Sequence, residues 1–214
     1  TVVLNTEALV NLTRDKWLMD QELKAMKSSS RIDSYIDGDF TSLSNKLGLP
    51  FIVKPRKSYA SKGLVRVKNE SDFNRLVVKM GNGLMAQSII GTDEEEYTVG
   101  IFGDGQGNMS ASITLQRHLS ADGSTAKAWV RHDEKFDAAV RLLCRHFKPI
   151  GPTNLQFRKD GEGWGLLEIN PRISSSTSLR TAFGYNEAEM CLEFFLKNEQ
   201  VLQPVIKDGF AVRY

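Results

Sequence analysis

The segment Gly165-Leu166-Leu167-Glu168-Ile169-Asn170-Pro171-Arg172 constrains this chain more than any other. Its apolar run reads as a short buried strand, and a carboxylate, an amide and an arginine emerge from it. Side chains alternate along a strand, so Glu168 and Asn170 share one face while Ile169 points into the core. Two oxygen ligands on one face with a guanidinium beyond them suit a magnesium-phosphate site. Mg²⁺ takes carboxylate, amide and phosphate oxygens, and arginine grips phosphoryl oxygens in a fork. A charged Glu in an apolar strand is costly unless it is paired or metal-bound. The segment fits equally a plain strand end in which Glu168 bridges to Arg172.

A second cluster follows a buried strand, FIVKP. Residues 54–63 (KPRKSYASKG) hold four cations, two serines and a glycine. Polyphosphate binding needs cations with backbone and hydroxyl donors on a loop that can close over its ligand. Lys54 stands out, because the strand would fix its root while its head reaches into a cleft. The GxxxxGK[ST] pattern is absent, so this is not a Walker A loop. A solvated basic hairpin tip is the plainer reading. The net charge of +2 argues against a general polyanion surface, and the basic patch is short, so nucleic acid is not expected.

The remaining pattern alternates helices and hairpins. A helix is expected over 13–27, opened by Thr13, with Trp17, Met19, Leu23 and Met26 at apolar positions. A short strand follows over Ile32–Ile36, then a helix over Phe40–Leu47 ended by Gly48. LVRVK reads as a half-buried strand (Leu64, Val65, Val67), and a helix capped by Ser71 runs to about 80 with Phe73, Leu76 and Val77 inward. GLMAQSII is a buried strand. Hairpins turn at Asp104-Gly105 and Asp160-Gly161. Between them a helix runs from Asp133 to Phe147 with Phe136, Val140, Leu143, Cys144 and Phe147 on one stripe. Asn186 caps a last helix, with Glu189 in capping-box spacing. The expected organisation is an entry segment and helix (1–27), a smaller α/β lobe (28–86) and a larger one (87–214). With these hairpins the class is α+β with mostly antiparallel sheets, and a ligand would sit in the cleft between the lobes.

Cys144 and Cys191 fall in helical apolar patterns and read as core residues in a reducing compartment rather than a disulfide. No apolar run reaches the roughly 18 residues of a membrane span. Residues 1–12 lack the basic start and long apolar run of a signal peptide, so the cytoplasm is the expected compartment. The chain starts at Thr1, as a processed chain or a piece of a longer one would. His118, His132 and His146 read as structural or surface residues.

Taken in order, Asp15-Lys16 on the entry helix, FIVKP with SYASKG, the MAQSIIG strand with Glu96-Tyr97-Thr98, and NLQF followed by LLEINPR resemble the ATP-grasp superfamily. The likeness is to its branch related to the large subunit of carbamoyl-phosphate synthase, and ISSSTSLRTAFGYN extends it. It covers about Asn11 to Leu196. It implies two lobes with ATP between them. Lys16 and Lys54 would bind phosphates, with Ser61, Lys62 and Gly63 in the closing loop. Gln87 and Ile90 would meet adenine through their main chain, and Glu96 the ribose. Gln156, Glu168 and Asn170 would face Mg²⁺ (or Mn²⁺), and Arg172 would act with Lys54 on the transferred phosphoryl group. Ser174 to Thr177 and Arg180 would line the far side. The implied activity is an ATP-dependent carboxylate ligase, in which a small-molecule carboxylate becomes an acyl phosphate that an amine or similar nucleophile attacks.

Two departures from the family pattern stand out. Many relatives carry Asp or Glu where this chain has Gln156. The family's N-terminal Rossmann-like subdomain has no counterpart in the dozen residues before Asp15-Lys16, so a fragment with impaired catalysis is expected. A non-catalytic nucleotide-binding module is the alternative, disfavoured by the intact Gln156, Glu168, Asn170 and Arg172 set. An interaction domain using the basic loop ranks behind both.

Overall fold

The computed structural model describes residues 5–58, 62–120 and 123–213. Two helices come first, α1 (Glu7–Arg14) and α2 (Lys16–Ala25). The single helix opened by Thr13 is therefore corrected. Thr6 caps α1, and Thr13 lies inside it with its hydroxyl donating to the Leu9 carbonyl. Asp15 breaks the run in an extended conformation, and its carboxylate accepts from the Trp17 and Leu18 N–H groups to start α2. Asp and Thr both cap helices, and the choice fell to the residue that also meets an arginine, since Arg56 Nη2 lies 2.7 Å from Asp15.

The next elements are β1 (Ser34–Tyr35), α3 (Phe40–Leu47), β2 (Phe51–Pro55), β3 (Val65–Val67), α4 (Glu70–Asn74) and β4 (Leu84–Ser88). The strands form an antiparallel sheet in the order β1-β4-β2-β3. One face buries Leu43, Leu47, Phe51, Val53 and Phe73 beneath α3 and α4. Gly48 ends α3 with φ +77°, as glycine readily does. Two expectations change here. Asn69, not Ser71, caps α4 by accepting from Asp72 N–H, and the helix stops early, leaving a tight turn at Val77–Lys79 with Val77 half exposed. Consecutive β-branched valines lose rotamer freedom in a helix, which favours that early stop. In β3 only Val67 is buried, while Leu64 and Val65 are exposed.

The chain passes to a larger sheet built from β5 (Glu96–Asp104), β6 (Met109–Leu119), β7 (Thr125–Arg131), β8 (Ile150–Asp160), β9 (Gly163–Asn170) and β10 (Phe210–Val212). The order is β10-β7-β6-β5-β8-β9, every pair antiparallel. Helix α5 (Glu134–Phe147) covers one face, where Phe136, Val140 and Leu143 meet Tyr97, Val99 and Ile101. On the other, α6 (Thr177–Ala182) and α7 (Glu187–Cys191) cover Phe102, Ile113 and Leu115 with Leu179, Phe183 and Tyr185. The α+β class with mostly antiparallel sheets is thus borne out. Strands β7 and β10 were not foreseen. Cys144 and Cys191 are buried and unpaired. Among the described residues no helix is long and apolar enough to cross a membrane.

Candidate active site

A cavity of about 740 Å³ is lined by residues of both sheets. From the smaller come Ile52, Lys54 and Gln87, at alternate or facing positions that turn away from the α3–α4 core. The larger sheet provides a polar floor through its register. Glu96 on β5 sits opposite Arg117 on β6 and Arg158 on β8, while Gln156 lies opposite Glu168, and Asn154 opposite Asn170. Cross-strand partners share a face, so these side chains converge without any loop having to deliver them.

Strand β9 carries an irregularity that matters. Gln156 pairs with Glu168, but Phe157 pairs with Leu166, so Leu167 is an extra residue without a partner. This β-bulge resets the alternation. Leu166 and Ile169 both reach the α5 core, and between them Leu167 and Glu168 both line the cavity. An apolar and an anionic side chain thereby stand side by side.

Lys54 is 8% exposed, and its Nζ donates to Gln87 Oε1 at 2.6 Å, while Gln87 Nε2 donates to Ser34 Oγ at 2.9 Å. Burial, with the neighbouring Lys16 charge, lowers the Lys54 ammonium to about 8 against the partial support of Glu168 and Asp20. Lys16 Nζ donates to the Ser58 carbonyl at 2.8 Å and lies 3.6 Å from Glu168 Oε1. The ion partner of Glu168 is thus Lys16, whereas Arg172 donates to the Ile173 carbonyl at the cavity edge.

The basic loop divides its labour. Lys54 and Lys62 line the cavity. Arg56 turns away to hold Asp15 and the Gly81 carbonyl. Burial alone would raise the Asp15 carboxyl, but Arg56 and the Trp17 and Leu18 N–H groups outweigh it and keep it below its usual range. Gly63, at φ +77°, stands against the Pro55 ring, where an added Cβ would lie 2.8 Å from Cγ. Ser61 lies outside the described residues. Ile90 packs on Gly165, where a Cβ would come within 2.1 Å of Ile90 Cδ1.

Gln156, Glu168 and Asn170 present one carboxylate and two amides on adjacent strands, a hard-oxygen set that fits Mg²⁺. With one formal charge, it would leave most of the ion's compensation to phosphate. Glu96 is 4% exposed and bound by two guanidiniums, Arg117 Nη2 at 2.6 Å and Arg158 Nη2 at 2.9 Å. Neither arginine was singled out in the sequence, where each looks like a solvent-facing residue of an alternating strand. Ser174 and Ser175 line the cavity, but Arg180 does not: it is fully buried on the same face of the sheet, beside Asn154 at the end of the floor, and paired with Glu187. His118 lines the cavity, its ring edge-on to Trp129, and His132 and His146 pair with surface carboxylates.

The family model described as ATP-grasp in the biosynthetic pathway with Ter operon matches residues 85–214. The chain belongs to the ATP-grasp family. This ATP-grasp chain is 25% identical over 191 residues to the carbamoyl phosphate synthase large chain of Clostridium acetobutylicum, covering 80% of this chain and 17% of that one. It is 27% identical over 188 residues to the arginine-specific large chain of Halalkalibacterium halodurans, covering 78% and 18%. It therefore spans less than a fifth of the length of these curated relatives. Among solved structures, N5-carboxyaminoimidazole synthetase from Staphylococcus aureus complexed with ADP aligns with a TM-score of 0.74 at 18% identity, over 91% of this chain and 54% of that one. The biotin carboxylase domain of Hydrogenobacter thermophilus 2-oxoglutarate carboxylase, in complex with MgADP and bicarbonate, aligns at 0.76 and 14% identity over 97% and 51%. At these identities the likeness is one of fold.

Proposed function

We propose that this ATP-grasp domain binds ATP with Mg²⁺ between its two sheets and activates a small-molecule carboxylate, as part of a carboxylate–amine ligase of the carbamoyl-phosphate synthase kind. The observation that carries this reading is the juxtaposition of Lys54, rooted in the smaller sheet, with Glu168 and Asn170 on the larger, across one cavity. Phosphoryl transfer asks a protein mainly for positioning and charge neutralisation.

Each cavity residue takes a role in this reading. Ile52, Leu64 and Leu167, among the cavity's aliphatic lining, would meet the base, beside the main chain after Gln87. Glu96 keeps lone pairs for ribose hydroxyls beyond those given to its two arginines. Lys54, Lys16 and Lys62 meet the phosphates. Glu168, with Asn170 and Gln156, holds the metal, which when bound neutralises phosphate charge. The substrate carboxylate oxygen attacks the γ-phosphorus and the bond to the β-phosphate oxygen breaks, releasing ADP. An amine then adds to the acyl carbon, loses a proton and expels phosphate, with Arg172 stabilising the transferred group. The ADP, magnesium and bicarbonate named for the fold neighbours accord with such a site.

Calorimetric titration of ATP into the chain, with Mg²⁺ and then with EDTA, tests the reading. Magnesium-dependent binding supports it. No binding at millimolar ATP, by this chain or a longer parent, would sink it.

A further inference from the structure

Arg117 stands where the nucleotide and metal positions meet. Its side chain is 8% exposed, and Nη2 donates to both Glu96 Oε1 at 2.6 Å and Gln156 Oε1 at 3.0 Å. Nη1 reaches Thr125 Oγ1 at 3.5 Å, and the buried Nε has no partner. A guanidinium has five N–H donors, so this one is only partly committed. Its carboxylate partner Glu96 also meets Arg158, which has a second partner in Asp93 at 3.0 Å, and Gln156 is neutral.

The consequence falls on Gln156. An amide oxygen that already accepts from a cation is a poor ligand for another. A divalent ion bound to it at about 2.1 Å would stand only some 4–5 Å from the Arg117 nitrogen, in a pocket where water screens little. A carboxylate at position 156 could answer both charges. An amide cannot. Glu168 also has a cation beside it, Lys16 Nζ at 3.6 Å, but a carboxylate carries the charge to answer both.

We propose that Arg117 takes the place of a second divalent cation: the domain holds one metal ion with its nucleotide, on Glu168 and Asn170, and the guanidinium at Gln156 supplies the other positive centre to the phosphates. The inference rests on the Mg·ATP reading above and narrows it, withdrawing Gln156 from the metal. Bridged ion pairs lie about 3.5–4 Å apart, close enough to broaden one another's magnetic resonance.

The test is Mn²⁺ titration of the chain saturated with the non-hydrolysable analogue AMP-PNP, followed by electron paramagnetic resonance. One Mn²⁺ per chain with an unbroadened spectrum is expected. The double variant Arg117→Gln/Gln156→Glu is expected to take up two ions with dipolar broadening. Two coupled ions in the wild-type chain would overturn the proposal while leaving nucleotide binding intact, and that count needs no variant. Failure of both this chain and a longer parent to retain AMP-PNP would overturn both readings, and nucleotide retention tells the two failures apart.

Discussion

Arg180 Nη1 donates to Glu187 Oε1 at 2.9 Å, and neither side chain has any solvent exposure. The guanidinium lies against Gly100, where an added Cβ would sit 2.8 Å from Cζ. Its Nη2 donates to Thr98 Oγ1 at 3.0 Å and to Asn154 Oδ1, so the pair braces one end of the floor. Asn154 is the cross-strand partner of Asn170.

Removing one charge of such a pair leaves the other stranded. Glu187→Ala is expected to cost about 3–5 kcal/mol in urea unfolding. Replacing both residues by leucine should recover much of that loss. A single variant as stable as the wild type would show that the pair does not hold the floor.

Lys54 links stability to pH in the reverse of the usual direction. Burial lowers its ammonium to about 8 in the folded chain, from the usual 10.5. Between those values the unfolded chain binds the extra proton, so the contribution to stability rises with pH across that window and is least favourable below 8. Lys54→Met should therefore stabilise the fold at pH 7, by up to about 3 kcal/mol less the cost of stranding Gln87 Oε1, with the gain fading towards pH 10.5. Melting temperatures of both proteins at pH 7 and 10 check the sign.

Under the proposed function, the same group should set the pH range of nucleotide binding. Where only the ammonium form binds, ATP affinity should fall about tenfold between pH 7 and 9. A flat calorimetric profile over that range would remove Lys54 from the phosphates.

Glu168→Gln keeps the shape and deletes the charge. Magnesium and EDTA titrations of ATP into this variant should become indistinguishable. Undiminished magnesium dependence would move the metal elsewhere.

Gly165→Ala drives a methyl to 2.1 Å from Ile90 Cδ1 and 2.8 Å from Ile32 Cγ1. Overpacking of this kind costs about 1–3 kcal/mol. Because Ile90 is the proposed neighbour of adenine, ATP affinity should fall as well. Unchanged affinity would argue against main-chain recognition there.

Much of this molecule was legible in its residues. Asp133 and the stripe from Phe136 to Cys144 gave α5 without ambiguity, since a cap and a 3.6-residue period agree. Glu168 and Asn170 were read on one face because both lie beyond the bulge, where alternation is regular. Leu167 was not, because nothing in two consecutive leucines tells which is the extra one. Arg117 and Arg158 acquire meaning only when three strands align them on Glu96, a fact of register rather than of composition. Asp15 was seen as half of a pair with Lys16, but its role as a cap needed Arg56, 41 residues away. Strand β10 is three residues long and borrows its definition from β7.

The extra residue in β9 is one the sheet can do without. Excising Leu167 would restore a regular ladder and leave the core contacts of Leu166 and Ile169 in phase. What would vanish is a fixed ruler: one peptide unit, about 3.8 Å, between a greasy contact and a carboxylate. Under the proposed function, a single-codon deletion there should yield a sound protein with weakened nucleotide binding.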